Sequence, residues 1–310
     1  MQKWGRRETL GDIVRVIREF RPLVILTMNP AGSGGGQHHQ ASAQLAAEAF
    51  SLAGDPTQFP QQLEEGLRPW RPLRLFQSPS PGMSSSQSTF GDVKIDLGEY
   101  DPLLGESYAE FGARARNRHR SQGMNALSRP GPMSASFILA YSTVSSSQIR
   151  DSFFDQIDVS IQALATLDPE LESSVILLEG YIDWASGAFS RSDYRASVKA
   201  VMTGLDLVRE MRESTTHPDA LFLLLEKEKD FLRAAEKGHF FNFDVLANGV
   251  SDGNVVPGEE FEVLVRLLNQ SSVEIQTKSV ELLTPPGWEV RLDRSVDSSV
   301  YFKVIVPEKT

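Results

Sequence analysis

Arg21-Pro22-Leu23-Val24-Ile25-Leu26-Thr27-Met28 is a short apolar run, β-branched at Val24 and Ile25, of the kind that forms a strand covered on both faces. Upstream, Leu10, Ile13, Val14, Ile17 and Phe20 recur at helical spacing. Downstream, Gly34-Gly35-Gly36-Gln37-His38-His39-Gln40-Ala41-Ser42 leads into a second helical pattern through Leu45, Ala46, Ala49 and Phe50. Helix, strand, glycine loop, helix is the order of an α/β protein of Rossmann-like type. In such sheets ligands bind in the crevice outside the carboxyl ends of the strands, and His38 and His39 fall there. Neutral imidazole is a common zinc ligand. Neighbouring rings on a loop point different ways, so the pair offers one ligand; by spacing alone the alternative is a pair of solvent-exposed or capping histidines.

Composition narrows the function classes. A chain of 310 residues exceeds one domain of about 100–200 residues and can bury a sizeable core. A formal charge of −10 speaks against a general nucleic-acid binder or a binder of anionic membranes. No run is apolar for the length a membrane span needs. The absence of cysteine excludes disulfides, thiolate metal sites and a cysteine nucleophile. The one basic cluster is Arg114, Arg116, Arg118, His119 and Arg120, on a helix predicted from about Gly105 into Arg120. It reads either as a solvated face or as a loop offering planar donors to a polar substrate. Asp92, Asp96, Glu99 and Asp101 form a possible carboxylate cluster, but they read more simply as a solvated strand face followed by a turn.

Several stretches, in a fixed order, carry a family resemblance: Lys3-Trp4-Gly5, Gly11-Asp12-Ile13-Val14-Arg15-Val16-Ile17-Arg18, His38-His39-Gln40-Ala41, Gly54-Asp55-Pro56, Phe59-Pro60, Gly66-Leu67-Arg68-Pro69-Trp70, Glu99-Tyr100-Asp101-Pro102-Leu103-Leu104-Gly105 and Arg118-His119-Arg120-Ser121-Gln122-Gly123-Met124. Together they cover most of residues 1–145. This part of the chain resembles the PIG-L (LmbE-like) family of zinc-dependent N-acetyl deacetylases, in its long bacterial multidomain form. The resemblance implies a His-Pro-Asp-Asp motif whose His and second Asp bind zinc and whose first Asp is the general base. It also implies a later His-x-x-His motif whose last His is the third ligand and whose first His is the general acid. Carried onto this sequence, the last His falls on His39, the metal ligand, and the first on Gly36, which can neither protonate a leaving amine nor steady an oxyanion. His38 is then the candidate substitute acid, and Arg118, His119, Arg120 and Gln122 are the substrate-binding candidates.

No His-Pro-Asp-Asp precedes the loop. The look-alike His217-Pro218-Asp219-Ala220 has Ala220 where a carboxylate is needed and reads as a helix start, with Pro at the first helical position. His239 reads as a junction residue. With two zinc ligands and the base absent, the expectation is a chain whose start has been lost or assigned too far downstream. Such a chain would be inactive alone, would lack the first strands of its sheet and would expose an apolar strand edge. Zn2+ and an N-acetylated sugar or related small molecule are expected of the intact protein. The rival is a non-catalytic glycan-binding or scaffold protein on a degenerate deacetylase domain.

The division expected is 1–148 for the α/β portion, 149–238 for a helical bundle and 239–310 for a partial immunoglobulin-like β-sandwich. In the first, strands are expected over Asp92–Leu97 and Ser136–Tyr141, with a polar Pro/Gly/Ser loop from Ser78 to Ser88. In the bundle, apolar stripes run through Phe154, Ile157, Ile161 and Leu164, and through Tyr194, Val198, Val201, Leu205 and Val208; further helices are expected over Leu171–Trp184 and Ala220–Ala235. In the last part, strands are expected around Phe241–Val245, Phe261–Leu267, Val273–Leu283 and Val300–Val306. A sandwich of this kind, as appended to secreted bacterial glycan-active enzymes, favours an extracytoplasmic location.

Overall fold

Leu10, Val14 and Ile17 line one buried face of helix α1 (Arg6–Phe20) in the computed structural model. The structure describes residues 4–30, 36–78, 91–122, 127, 130–144, 152–189, 197–239, 241–250, 253–269 and 276–308. The loop expected over Ser78–Ser88 and the stripe residue Tyr194 lie largely outside them. The chain divides into two compact units, residues 1–159 and 160–310.

In the first unit α1 stops where Arg21 turns left-handed (φ 52°) and its N–H donates to the Ile17 carbonyl, just before Pro22. Strand β1 (Val24–Met28), helix α2 (Gly36–Leu52), the short helix α3 (Pro60–Glu64) and strand β2 (Arg74–Ser78) follow. Then come β3 (Val93–Asp96), a small hairpin of β4 (Tyr100–Asp101) and β5 (Glu106–Ser107), helix α4 (Tyr108–Arg116) and β6 (Ser134–Ser142). The sheet runs β1-β2-β6-β3; β1 and β2 are parallel, and β6 is antiparallel to both β2 and β3, so the sheet is mixed.

Ile25 packs with Leu10, Val14, Ile17, Leu45, Ala49 and Phe59 beneath α1 and α2. Successive strand residues face opposite ways, so Leu26 is turned from that core and is 49 % exposed. The expected strand is present, but β1 lies at the sheet edge and is not covered on both faces.

A buried arginine ties the helices of this layer together. Arg18, 1 % exposed, donates from Nε to the Ala53 carbonyl (3.1 Å), from Nη1 to Phe59 O (3.3 Å) and Gln62 Oε1 (3.0 Å), and from Nη2 to Asp55 O and Gln58 O (both 2.9 Å). Gln62 Nε2 in turn donates to Gly11 O at 2.8 Å. A Cβ at Gly11 would stand 2.9 Å from the Phe59 ring, so glycine permits that close approach.

Helix α4 starts later than the sequence suggested, because Glu106 and Ser107 are taken into the hairpin with Tyr100 and Asp101. Ser107 then caps the helix. Its hydroxyl accepts from the Glu110 N–H, and the Glu110 carboxylate accepts from the Ser107 N–H, a complete capping box.

In the second unit α5 (Ala163–Leu167), α6 (Glu172–Ala188), α7 (Val198–Ser214) and α8 (Pro218–His239) bury Leu164, Val175, Leu178, Leu205, Val208, Met211 and Leu224 together. The stripe from Phe154 to Leu164 does not form the expected helix. Gln156 adopts φ 61°, which a helix cannot accommodate, and helical structure begins only at Ala163. The strands β7 (Phe241–Asn248), β8 (Glu260–Asn269), β9 (Glu289–Val296) and β10 (Ser299–Ile305) form one antiparallel sheet in the order β7-β8-β10-β9.

Strand β9 was not anticipated, and the described part of the strand expected over 273–283 is not a strand. Val280 and Leu282 instead pack, with Trp288, onto the Val263, Val265, Phe302 and Val304 face. They act as a cover over the sheet. Among the described residues there is no second sheet of the kind a sandwich stacks on the first.

Candidate functional site

Helix α2 begins at Gly36 with φ 72°, and Gly34 and Gly35 lie outside the described residues. His38 and His39 occupy the first turn of α2, past the carboxyl end of β1, and both are exposed. The His38 ring stacks on Trp4, centroids 4.7 Å apart at 24°. That arrangement makes His38 part of an aromatic contact.

Among the described residues no set of side chains makes up a zinc site. A catalytic zinc needs about three protein ligands, and no group of three His, Asp or Glu side chains is placed to hold a metal among the described residues. His39 therefore stands as a single exposed imidazole. The His217 look-alike is a helix cap: Nδ1 accepts from the Ala220 N–H at 3.3 Å, and Pro218 is the first helical residue. The side chains of His239 and Gln122 lie outside the described residues.

The carboxylates around Asp101 accept hydrogen bonds from backbone N–H groups of strand and turn. Asp92 accepts from the Leu139 N–H (2.7 Å) and Asp96 from the Gly98 N–H (2.8 Å). Asp101 accepts from the Tyr108 hydroxyl (2.8 Å) and from the N–H groups of Leu103 (2.7 Å) and Leu104 (3.1 Å). The tyrosine hydroxyl, with those two N–H groups, holds the Asp101 carboxyl below its ordinary range.

The basic cluster is brought together at the end of α4. A depression of about 440 Å³ is lined by Glu106, Glu110, Arg114, Asn117, Arg118 and Arg120. Glu106 pairs with Arg114 at 2.5 Å, and Glu110 is engaged in the capping box. Arg118 and Arg120 are exposed at the rim, and His119 Nδ1 lies 3.1 Å from the Arg116 carbonyl. Glu106 and Glu110 were not singled out from sequence, although Ser107-x-x-Glu110 is a readable capping signature.

No family model matches the chain. Over 74 residues, 24 % of the chain, it is 34 % identical to the 1D-myo-inositol 2-acetamido-2-deoxy-alpha-D-glucopyranoside deacetylase of Thermobispora bispora. It is 35 % identical over 74 residues to the protein of the same name from Streptomyces avermitilis. That stretch is similar to deacetylases. It covers 22 % and 24 % of those two proteins, so the chain spans about a quarter or less of the length of the curated relatives it matches. Among solved structures, N,N'-diacetylchitobiose deacetylase from Pyrococcus horikoshii overlaps 49 % of this chain and 57 % of its own at 14 % identity and a TM-score of 0.28, a likeness too low to carry an argument. No helix among the described residues is long and apolar enough to cross a membrane.

Proposed function

We propose that this chain is a portion of a zinc-dependent deacetylase of N-acetylated amino sugars or related polar compounds, and that on its own it does not hydrolyse them. The observation that carries the reading is the 34 % identity over 74 residues to deacetylases of an acetamido sugar. Its placement of chemistry is consistent with that reading. His39 sits past the carboxyl end of a strand in a parallel pair, where α/β proteins bind ligands. Arg118 and Arg120, with His119 beside them, offer donors suited to sugar hydroxyls or a carboxylate at the rim of the depression. In this reading the division 1–148, 149–238 and 239–310 is that of a larger extracytoplasmic enzyme.

The test is the zinc content of the purified chain beside His39→Ala, with acetate release from N-acetylglucosamine measured in parallel. Expected are zinc well below one equivalent in both proteins and no acetate. One equivalent of zinc that disappears in the variant, together with turnover by the parent chain, would sink the proposal of an incomplete site.

Gly36 favours a second reading, a non-catalytic glycan-binding protein. It stands where the resemblance calls for the general acid, and its φ of 72° is a conformation that costs a side chain about 1–2 kcal/mol. Under this reading zinc-free protein binds N-acetylglucosamine oligomers, detected by NMR shifts at Arg118 and Arg120. Under the first, the isolated chain shows no such binding.

A further inference from the structure

Arg74 opens β2, a strand flanked on both sides by neighbours, and its side chain is fully buried (0 % exposed). Nη1 donates to the Phe153 carbonyl at 2.9 Å, whereas the equally buried Nε and Nη2 have no hydrogen-bond partner among the described residues. Phe76, two residues on and so on the same face of the strand, meets the Phe153 ring edge-on at 4.9 Å, and Phe137 meets it at 5.1 Å. The segment around Phe153 thus lies over the guanidinium.

Arg18 shows how the same unit treats its other buried guanidinium, giving all three nitrogens carbonyl acceptors. Arginine cannot shed its proton in a protein, and a buried charge without a counter-group is strongly unfavourable. The two partnerless nitrogens of Arg74 share one edge of the planar fork. Two parallel N–H groups on such an edge match the two oxygens of a carboxylate.

We propose that the Nε–Nη2 edge of Arg74 binds a small carboxylate anion beneath the segment 152–157. This site is separate from the histidines. Arg74 begins β2, while His38 and His39 follow the far end of β1, which runs parallel to it. Entry requires the segment to lift, and it is joined to the sheet through the Phe153 carbonyl and ring. Such an anion binds the native state alone and stabilises it by mass action.

The experiment is thermal unfolding of the full chain as sodium acetate replaces sodium chloride at constant ionic strength, for the parent, Arg74→Met and Arg74→Lys. The Arg74 Nε–H resonance is followed by NMR in the same titration. Expected is a saturable rise in Tm of about 3–6 °C in the parent and a matching shift of the Arg74 signal. Arg74→Lys keeps the charge but loses the planar fork, and Arg74→Met removes both, so neither variant shows the rise. A parent that ignores acetate, or variants that respond equally, overturns the proposal. So does an Arg74 Nε–H already bonded to carboxylate in acetate-free protein, since the acceptor is then one of the polypeptide's own acids.

Discussion

Arg18 carries five hydrogen bonds on one buried guanidinium, and four of its acceptors are backbone carbonyls of the turn that links α2 to α3. Burial pushes its pKa down and nearby Asp55 opposes that shift, yet the group stays charged. Arg18→Met should cost about 3 kcal/mol or more, because it leaves those carbonyls unsatisfied. Arg18→Lys should cost less while still lowering stability, since a lysine reaches only part of the set. Urea unfolding of both variants checks the order; an Arg18→Met chain as stable as the parent would show that the carbonyls find water. In sequence Arg18 is one more polar residue at the end of an amphipathic helix, and nothing local marks it as buried. His38 and His39 were legible as residue types at a strand end. What they touch was not legible, because the stacking of His38 on Trp4 depends on how distant segments pack.

Helices α6 and α8 were readable to within about four residues, and α7 by the stripe Val198, Val201, Leu205 and Val208 that it buries, since apolar periodicity reports which side of a helix is buried. Helices α7 and α8 approach closely at Gly204, where a Cβ would stand 2.4 Å from Phe231 Cε1. Gly204→Ala should therefore destabilise by about 1–3 kcal/mol despite its better helix propensity, read as a lower urea midpoint; a neutral or stabilising effect would mean that the ring has room to move. Farther along the same pair, Glu228 accepts from Arg209 Nε at 2.8 Å and pairs with Arg212. The Arg209 hydrogen bond chiefly, with the charges of both arginines, holds the Glu228 carboxyl below its ordinary range against an opposing effect of burial. The folded state thus prefers the ionised form. Its contribution is full above the unfolded value of about 4.3 and is lost as pH falls through the lower folded value. Glu228→Gln should lower stability by about 1–3 kcal/mol at pH 7 and flatten the acid limb of the Tm profile below about pH 4.5. Identical acid limbs would remove Glu228 from the cause. Elements failed to appear where periodicity served another end. Phe153 spends its ring on the sheet and Gln156 turns left-handed, while Val280 and Leu282 cover a sheet without pairing into it.

At the scale of the whole molecule, β1 is an edge strand with Leu26 half exposed, in a chain of formal charge −10. An apolar edge is a template for association, and a lysine there opposes it. Leu26→Lys should leave the urea midpoint nearly unchanged and reduce self-association on sedimentation at high concentration; equal association would place the sticky surface elsewhere. Legible in the sequence alone were the opening order of helix, strand and helix, the helices after residue 171, the return to alternating strands after residue 240 and the likeness to deacetylases. Those features are local, set by periodicity, glycine and proline placement and short motifs. Packing between distant segments made the first sheet mixed, with β1 at its edge among the described residues. It also set the partners of the carboxylates near residue 100, with Asp92 accepting from the Leu139 N–H of β6, Asp96 from the Gly98 N–H and Asp101 from the Tyr108 hydroxyl. Arg114, Arg118 and Arg120 meet in one depression, and among the described residues Arg18 finds acceptors for all three nitrogens where Arg74 finds one for Nη1 alone. Strand order and the environment of a buried charge depend on residues far apart in the chain, and no local pattern encodes which of them will meet.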